Sequence, residues 1–337
     1  MWRLCPTRPR ATAPDPPRAY VETKVNADGN NLTKRALMEL WIPVTIAAAF
    51  MQNLRSALQK YLKGRLSTGG ATYSRFLYAT PCALLYVVGL HQFGDLPLPT
   101  PNARFAFFGA AGGVAQILGT YLLVHLFSLR NFAVGNAYSK TETVQTALVG
   151  IIILGDPITA GVGVAILVAL VGVMALSVST GQLTVRSLIS GWTERSALIG
   201  IFSGTMFGLS AVCYRAASLS LDGKGFIMQA GFTLACVTVF QASLMGCYLK
   251  RKEAGQFMDV LRAWRIAGLV GICGMLGSAG WFTAMTIQNA AHVRALGQIE
   301  LVFTFIASTV FFGERPNRIE IAGIFLIIGG IVTLLLQ

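Results

Sequence analysis

Residues 137–157 read AYSKTETVQTALVGIIILGDP, and residues 295–315 read ALGQIELVFTFIASTVFFGER. Set one over the other at an offset of 158, they place Glu142 on Glu300 and Gly155-Asp156 on Gly313-Glu314. The same offset puts Gly172 on Gly330, Ala133 on Ala291 and Ala137 on Ala295. Upstream, Trp281-Phe282 falls near Tyr121-Leu122, and Lys60 falls near Arg215. A match of this kind at a fixed offset is the mark of an internal duplication. Each half of the chain carries one copy of a common unit.

The unit is written for lipid. The 337 residues are 54% hydrophobic and only 12% charged, with a mean hydropathy of +0.61. A soluble chain carries about 25% charged residues to cover its surface, so most of this chain has hydrocarbon as its solvent. Apolar runs of about 20 residues, the length that spans a bilayer, fall at 39–58, 73–91, 105–127, 132–154, 158–179, 196–218, 226–248, 264–287, 291–312 and 319–336. Each is expected to be a helix, because lipid offers the backbone no hydrogen-bond partners.

The reading is therefore an all-α integral membrane protein of ten helices, five in each half. Residues 38–180 form the first repeat, 181–194 the loop between repeats and 195–337 the second repeat. Residues 1–37 hold five prolines and four arginines within MWRLCPTRPRATAPDPPRAY and no apolar run. They are read as a disordered tail, not a secretory signal. Met38 opens the first span directly (MELWIP), so a start of translation at Met38 is as readable as one at Met1.

Five is odd, so the two copies enter the membrane from opposite sides. Inverted repeats of this kind are a common build of secondary transporters, with the site at mid-bilayer between the halves. In each half a carboxylate follows a glycine at a helix end, and a glycine-punctuated apolar run comes next (GVGVAILVALVGVMAL, 161–176; IAGIFLIIGGIVTLL, 321–335). This pattern resembles the EamA-type repeat, and two such repeats over about residues 39–336 resemble the drug/metabolite transporter superfamily. The resemblance implies ten helices, transport of a small metabolite and cytoplasmic termini. Its motifs are diffuse and name no substrate. The family often has a proline about 13 residues before the helix-end carboxylate, where this chain has Thr143 and Leu301, each preceded by a glutamate. The charged pair is thus this sequence's own feature.

Glu142 lies about ten residues into its span, hence about 15 Å deep at 1.5 Å per residue, and Glu300 lies equally deep. A charge at mid-bilayer costs about 2.5–3.5 kcal/mol on insertion scales, so each acid is expected to face a cavity or a partner. At about 100° per residue, Tyr138, Ser139, Gln145 and Thr146 share the face of Glu142, whereas Thr143, Asn136 and Lys140 point away. Lys140, two residues from Glu142, is not expected to pair with it along one helix. On the second span, Gly297, Phe303 and Thr304 flank Glu300, while Arg294 and Gln298 occupy the arc of Asn136 and Lys140. The polar face is broad and suits a water-filled wall. Low dielectric penalises an ionised carboxylate, so the acids are read as binding an amine or cation, carrying a proton, or both. The plain structural reading is that Lys140 and Glu142 are buried charges fixing helix register, with Arg55 as a partner.

Other polar residues carry weaker expectations. Gln52, Asn53, Arg55 and Trp281 are secondary cavity candidates. Arg75, Lys60 and Arg215 lie near span ends, where snorkelling is the default. Gly268, Gly271, Gly274, Gly277 and Gly280 recur every third residue and read as a packing stripe. Six scattered cysteines and three histidines form no ligand cluster, so no metal or cofactor is expected. The net charge of +13 sits in short loops at span ends, which is membrane anchoring rather than nucleic-acid binding. Those loop charges favour termini outside, since Lys60, Lys63, Arg65, Arg130, Lys250, Arg251 and Lys252 all lie on the face opposite them. The family expectation is the reverse, and orientation is left open.

The function expected is secondary active transport of a small organic solute, such as an amino acid or amine, in the plasma or inner membrane. Proton coupling and a homodimer are left open. No GxxxxGK[ST] loop for ATP occurs. A non-transporting scaffold or receptor is the first alternative. An intramembrane enzyme is the second, although no HExxH or GxGD motif is present.

Overall fold

A chain that closes its hydrogen bonds within each segment can meet lipid anywhere along its length. The computed structural model obeys this rule: helices make up the described residues, and no strand is found among them. It describes residues 39–129, 139–156, 159–177, 195–222, 225–253, 255–313 and 318–335. The expected tail, Tyr138 and the loop 181–194 lie outside these residues. Trp41–Gln337 is one unit.

In chain order the helices are α1 Trp41–Lys63, α2 Thr68–Phe93, α3 Ala103–Leu126, α4 Glu142–Leu154, α5 Ala160–Ser177 and α6 Arg195–Leu219. They continue as α7 Phe226–Lys252, α8 Gln256–Arg262, α9 Trp264–Ile287, α10 Ala290–Leu296, α11 Glu300–Phe312 and α12 Arg318–Leu335. By length and composition, six stretches among the described residues are long and apolar enough to cross a membrane: α2, α3, α6, α7, α9 and the composite Ala290–Ala307. Apolar side chains face outward along the helices, with Leu85, Phe107, Ile152, Val310 and Phe325 all exposed. A soluble monomer rarely exposes so much contiguous hydrocarbon. The protein is a multi-pass membrane protein.

The span expected at 291–312 is not one helix. It breaks into α10, a 3-10 turn at Gly297–Ile299, and α11. The cause is local: Gly297 lies against the Trp281 ring, where an added Cβ would come within 2.5 Å of the indole. The short amphipathic α8 was also not foreseen, because its seven residues are too few to carry an apolar period.

The offset of 158 recurs in the element bounds. Helices α4 and α11 begin at Glu142 and Glu300 and end at Leu154 and Phe312, so both ends differ by the same 158 residues. Helices α5 and α12 keep that offset at Ala160 and Arg318 and at Ser177 and Leu335. Both α4 and α11 stop on a glycine with left-handed backbone, φ 67° at Gly155 and 63° at Gly313. A side-chain-bearing residue takes that conformation only with strain.

The halves interlock rather than stand side by side. Helix α3 packs along α6 as α1 packs along α9, while α2 meets α7 and α5 meets α12. Every one of these seams joins the first half to the second. The glycine stripe of α9 explains one of them. A Cβ at Gly271 would lie 2.3 Å from Tyr78 Cβ, and one at Gly280 would lie 2.8 Å from Ala48 Cβ. The end glycine, Gly268, has open space around it. Gly271→Ala is therefore expected to cost about 1–3 kcal/mol, the usual range for overpacking. Gly268→Ala should be neutral or slightly stabilising, since alanine is the better helix former. Thermal unfolding of the two variants in detergent measures the difference.

Candidate functional site

Two helix starts, at Glu142 and at Glu300, build the site. In the first half Lys140 and Thr141 form a turn, and α4 starts at Glu142. In the second half the 3-10 turn ends at Ile299, and α11 starts at Glu300. Each acid therefore stands in the first turn of its helix, where the dipole favours negative charge. Arg294 stands in the last turn of α10, where it favours a cation.

A break in lipid frees backbone carbonyls, which must find new donors. Here groups of the turn at 140–141 and of the break at 297–299 are met by the other half. Gln298 Nε2 donates to the Lys140 carbonyl at 3.0 Å and also to Thr143 Oγ1. Thr143 Oγ1 in turn donates to the Arg294 carbonyl at 3.5 Å.

The charges cross between halves in the same way. Lys140 Nζ lies 2.5 Å from Glu300 Oε2 and 3.7 Å from Glu142 Oε1. Arg294 Nη1 lies 3.2 Å from Glu142 Oε1, with its guanidinium 4.6 Å above the Trp281 ring. Gln52 Nε2 donates to Glu300 Oε2 at 2.7 Å, and Asn53 Nδ2 donates to Thr304 Oγ1 at 2.5 Å. The four charged side chains are at most 6% exposed. In surroundings of low dielectric such pairs attract strongly, and an unpaired member would cost several kcal/mol.

Several expectations change here. Lys140 was expected to point away from Glu142; the turn at 140–141 resets the 100° count and brings its Nζ beside both acids. The broad water-filled wall is absent from this conformation, because the polar side chains close on one another. Ser139 is buried, and Gln145 turns toward α6, where its Oε1 approaches Gly204. Arg75 does not snorkel. It lies seven residues into α2 and is buried, donating from Nη1 to Thr120 Oγ1 at 2.8 Å and from Nη2 to Ser278 Oγ at 3.4 Å. Arg215 turns inward too. Its Nε is 3.3 Å from Asp156 Oδ2, and its Nη1 donates to the carbonyls of Met285 and Gln288, each at 2.5 Å. Those carbonyls end α9, a place that favours a cation. Arg55 pairs with neither Glu142 nor Lys140; its Nη2 donates to Ser56 Oγ at 3.2 Å.

A second polar layer went unnoticed in the sequence. Tyr214 Oη and Gln241 Nε2 both donate to Gln116 Oε1, at 3.1 and 2.9 Å. Gln116 and Gln241 each sit near the middle of an apolar helix. That depth was the signal, since a polar group there needs a reason. Among the described residues no group of three His, Cys, Asp or Glu side chains is placed to hold a metal.

With this geometry in view, the comparisons with known proteins fall into place. Residues 195–336 match the family model of the EamA-like transporter family. One crystal structure of a protein shares the fold, with a TM-score of 0.62 over 88% of this chain and 97% of its own. Its sequence is 13% identical, so the likeness is one of fold alone. No curated protein sequence matches the chain.

Proposed function

We propose that the protein is a secondary active transporter of a small organic solute, built as ten helices in two inverted five-helix repeats. The observation that carries this reading is the pair of helix starts at Glu142 and Glu300, equivalent by sequence and tied across the halves through Gln298, Lys140 and Thr143. Broken helices meeting between repeats are where transporters bind their cargo. Helix α4, too short to be a span by itself, counts as half of the fourth span, and α5 counts as the fifth. Lys140, Glu142, Arg294, Gln298 and Glu300 form the gate between the halves, with Gln52, Asn53 and Trp281 against it. Protonating either glutamate would release its basic partner, which couples a proton to opening. Ser139, buried one residue before Lys140, belongs to the same approach. The protein works in the plasma or inner membrane.

Loop charges support termini on the outer side. A phosphatase fused after Gln337 is expected to be active outside the cell. Activity only on the cytoplasmic side would instead give the family arrangement.

The second reading, a non-transporting scaffold, draws on the complete closure of the crossed ion pairs. Reconstituted vesicles loaded with a solute mixture separate the two. A transporter shows saturable counterflow of at least one solute, and a scaffold shows none above protein-free vesicles.

A further inference from the structure

Among the described residues the buried charges of the core do not balance. Four basic side chains (Arg55, Arg75, Lys140 and Arg294) and two acidic ones (Glu142 and Glu300) are at most 6% exposed there. The acids are already held, Glu300 by Lys140 and Glu142 by Arg294. Arg55 and Arg75 have no carboxylate within ion-pair distance among the described residues. Arg55 is 2% exposed, and its Nε and Nη1 have no hydrogen-bond partner. A guanidinium cannot shed its proton to escape this, and a buried charge without a counter-ion is strongly unfavourable.

The two arginines converge. An added Cβ on Gly274 of α9 would touch both chains, 3.2 Å from Arg75 Cγ and 3.4 Å from Arg55 Cδ. Beside Arg75 is a void of about 10 Å³, lined also by Gln116, Thr238, Gln241, Gly274 and Ser278. It has room for about one water, and its walls mix these polar groups with the apolar side chains of Phe76, Ala79, Leu234, Met275 and Phe282.

We propose that Arg55 and Arg75 bind the anionic group of the solute, a carboxylate or a phosphate. A guanidinium fork matches either oxyanion with two parallel hydrogen bonds. An amine or cation would find no free carboxylate here, so the substrate is an acid rather than the amine that the deep glutamates suggested. This inference rests on the transporter reading and names the class of its cargo.

The test is thermal unfolding of the purified protein in detergent at constant ionic strength, with inorganic phosphate, succinate, putrescine or sodium chloride added. Phosphate or succinate at about 100-fold above its Kd should raise the midpoint by about 5 °C. Putrescine and chloride should not. Phosphate acting alone would mark a phosphate-bearing substrate, and succinate alone a carboxylate. Arg55→Gln and Arg75→Gln should each abolish the anion shift, and Arg55→Lys should keep part of it. Without ligand, Arg55→Gln should unfold no earlier than the parent, because it removes an uncompensated charge. Stabilisation by putrescine alone, an anion shift that survives both Gln variants, or no shift with either anion would overturn the proposal. So would a lower ligand-free midpoint for Arg55→Gln, the mark of a structural post. Counterflow of a neutral or cationic solute alongside such a result would leave transport standing with the wrong cargo. An arginine-dependent anion shift with no counterflow would leave the site standing and remove transport.

Discussion

Lys140→Met is expected to lower the stability of the protein by about 3–5 kcal/mol, the usual penalty for breaking a buried pair from one side. The lysine holds Glu300 at 2.5 Å and is 5% exposed, so its loss strands a carboxylate in the interior. Gln52 would be the carboxylate's remaining donor. The double variant Lys140→Met, Glu300→Gln should recover most of the loss, because a neutral amide still accepts from Gln52 and needs no cation. Thermal unfolding of parent, single and double variants gives the coupling between the two sites directly. Equal losses that simply add would mean that the two side chains do not act on each other.

Glu142→Gln is expected to have the largest effect on activity. The acid sits between Arg294 at 3.2 Å and Lys140 at 3.7 Å, so its protonation would loosen both cations together. The amide keeps the shape and loses the titration. In vesicles holding a pH-sensitive dye, solute-driven proton movement should fall to the level of protein-free vesicles, while solute exchange without a gradient persists. Proton movement equal to that of the parent would take this acid out of the coupling.

Much of the fold was legible because lipid makes composition and length decisive. The run at 264–287 coincides with α9, and the runs at 105–127 and 196–218 match α3 and α6 within two residues at each end. The offset of 158 that aligned Glu142 with Glu300 also aligns the helix bounds around them. The pairing of charges was not legible. A helical wheel assumes an unbroken helix, but Lys140 and Thr141 form a turn ahead of Glu142, so the angle assigned to Lys140 did not hold. Nor does a single-chain pattern show which helix of the other half will lie opposite, which is why Lys140–Glu300 and Arg294–Glu142 were invisible. Arg75 was judged from its distance to the run at 73–91, but α2 starts earlier, at Thr68, and carries it inward.

The central claim is that the crossed pairs between Lys140, Glu142, Arg294 and Glu300 part toward one side of the membrane and then the other. Ser139, one residue before Lys140 and 2% exposed, reports on this most directly. In a variant without native cysteines, Ser139→Cys should react with a membrane-impermeant thiol reagent supplied from either side. Saturating solute should change the two rates in opposite directions. A thiol that stays unreactive from both faces would show a permanently sealed seam and contradict the account.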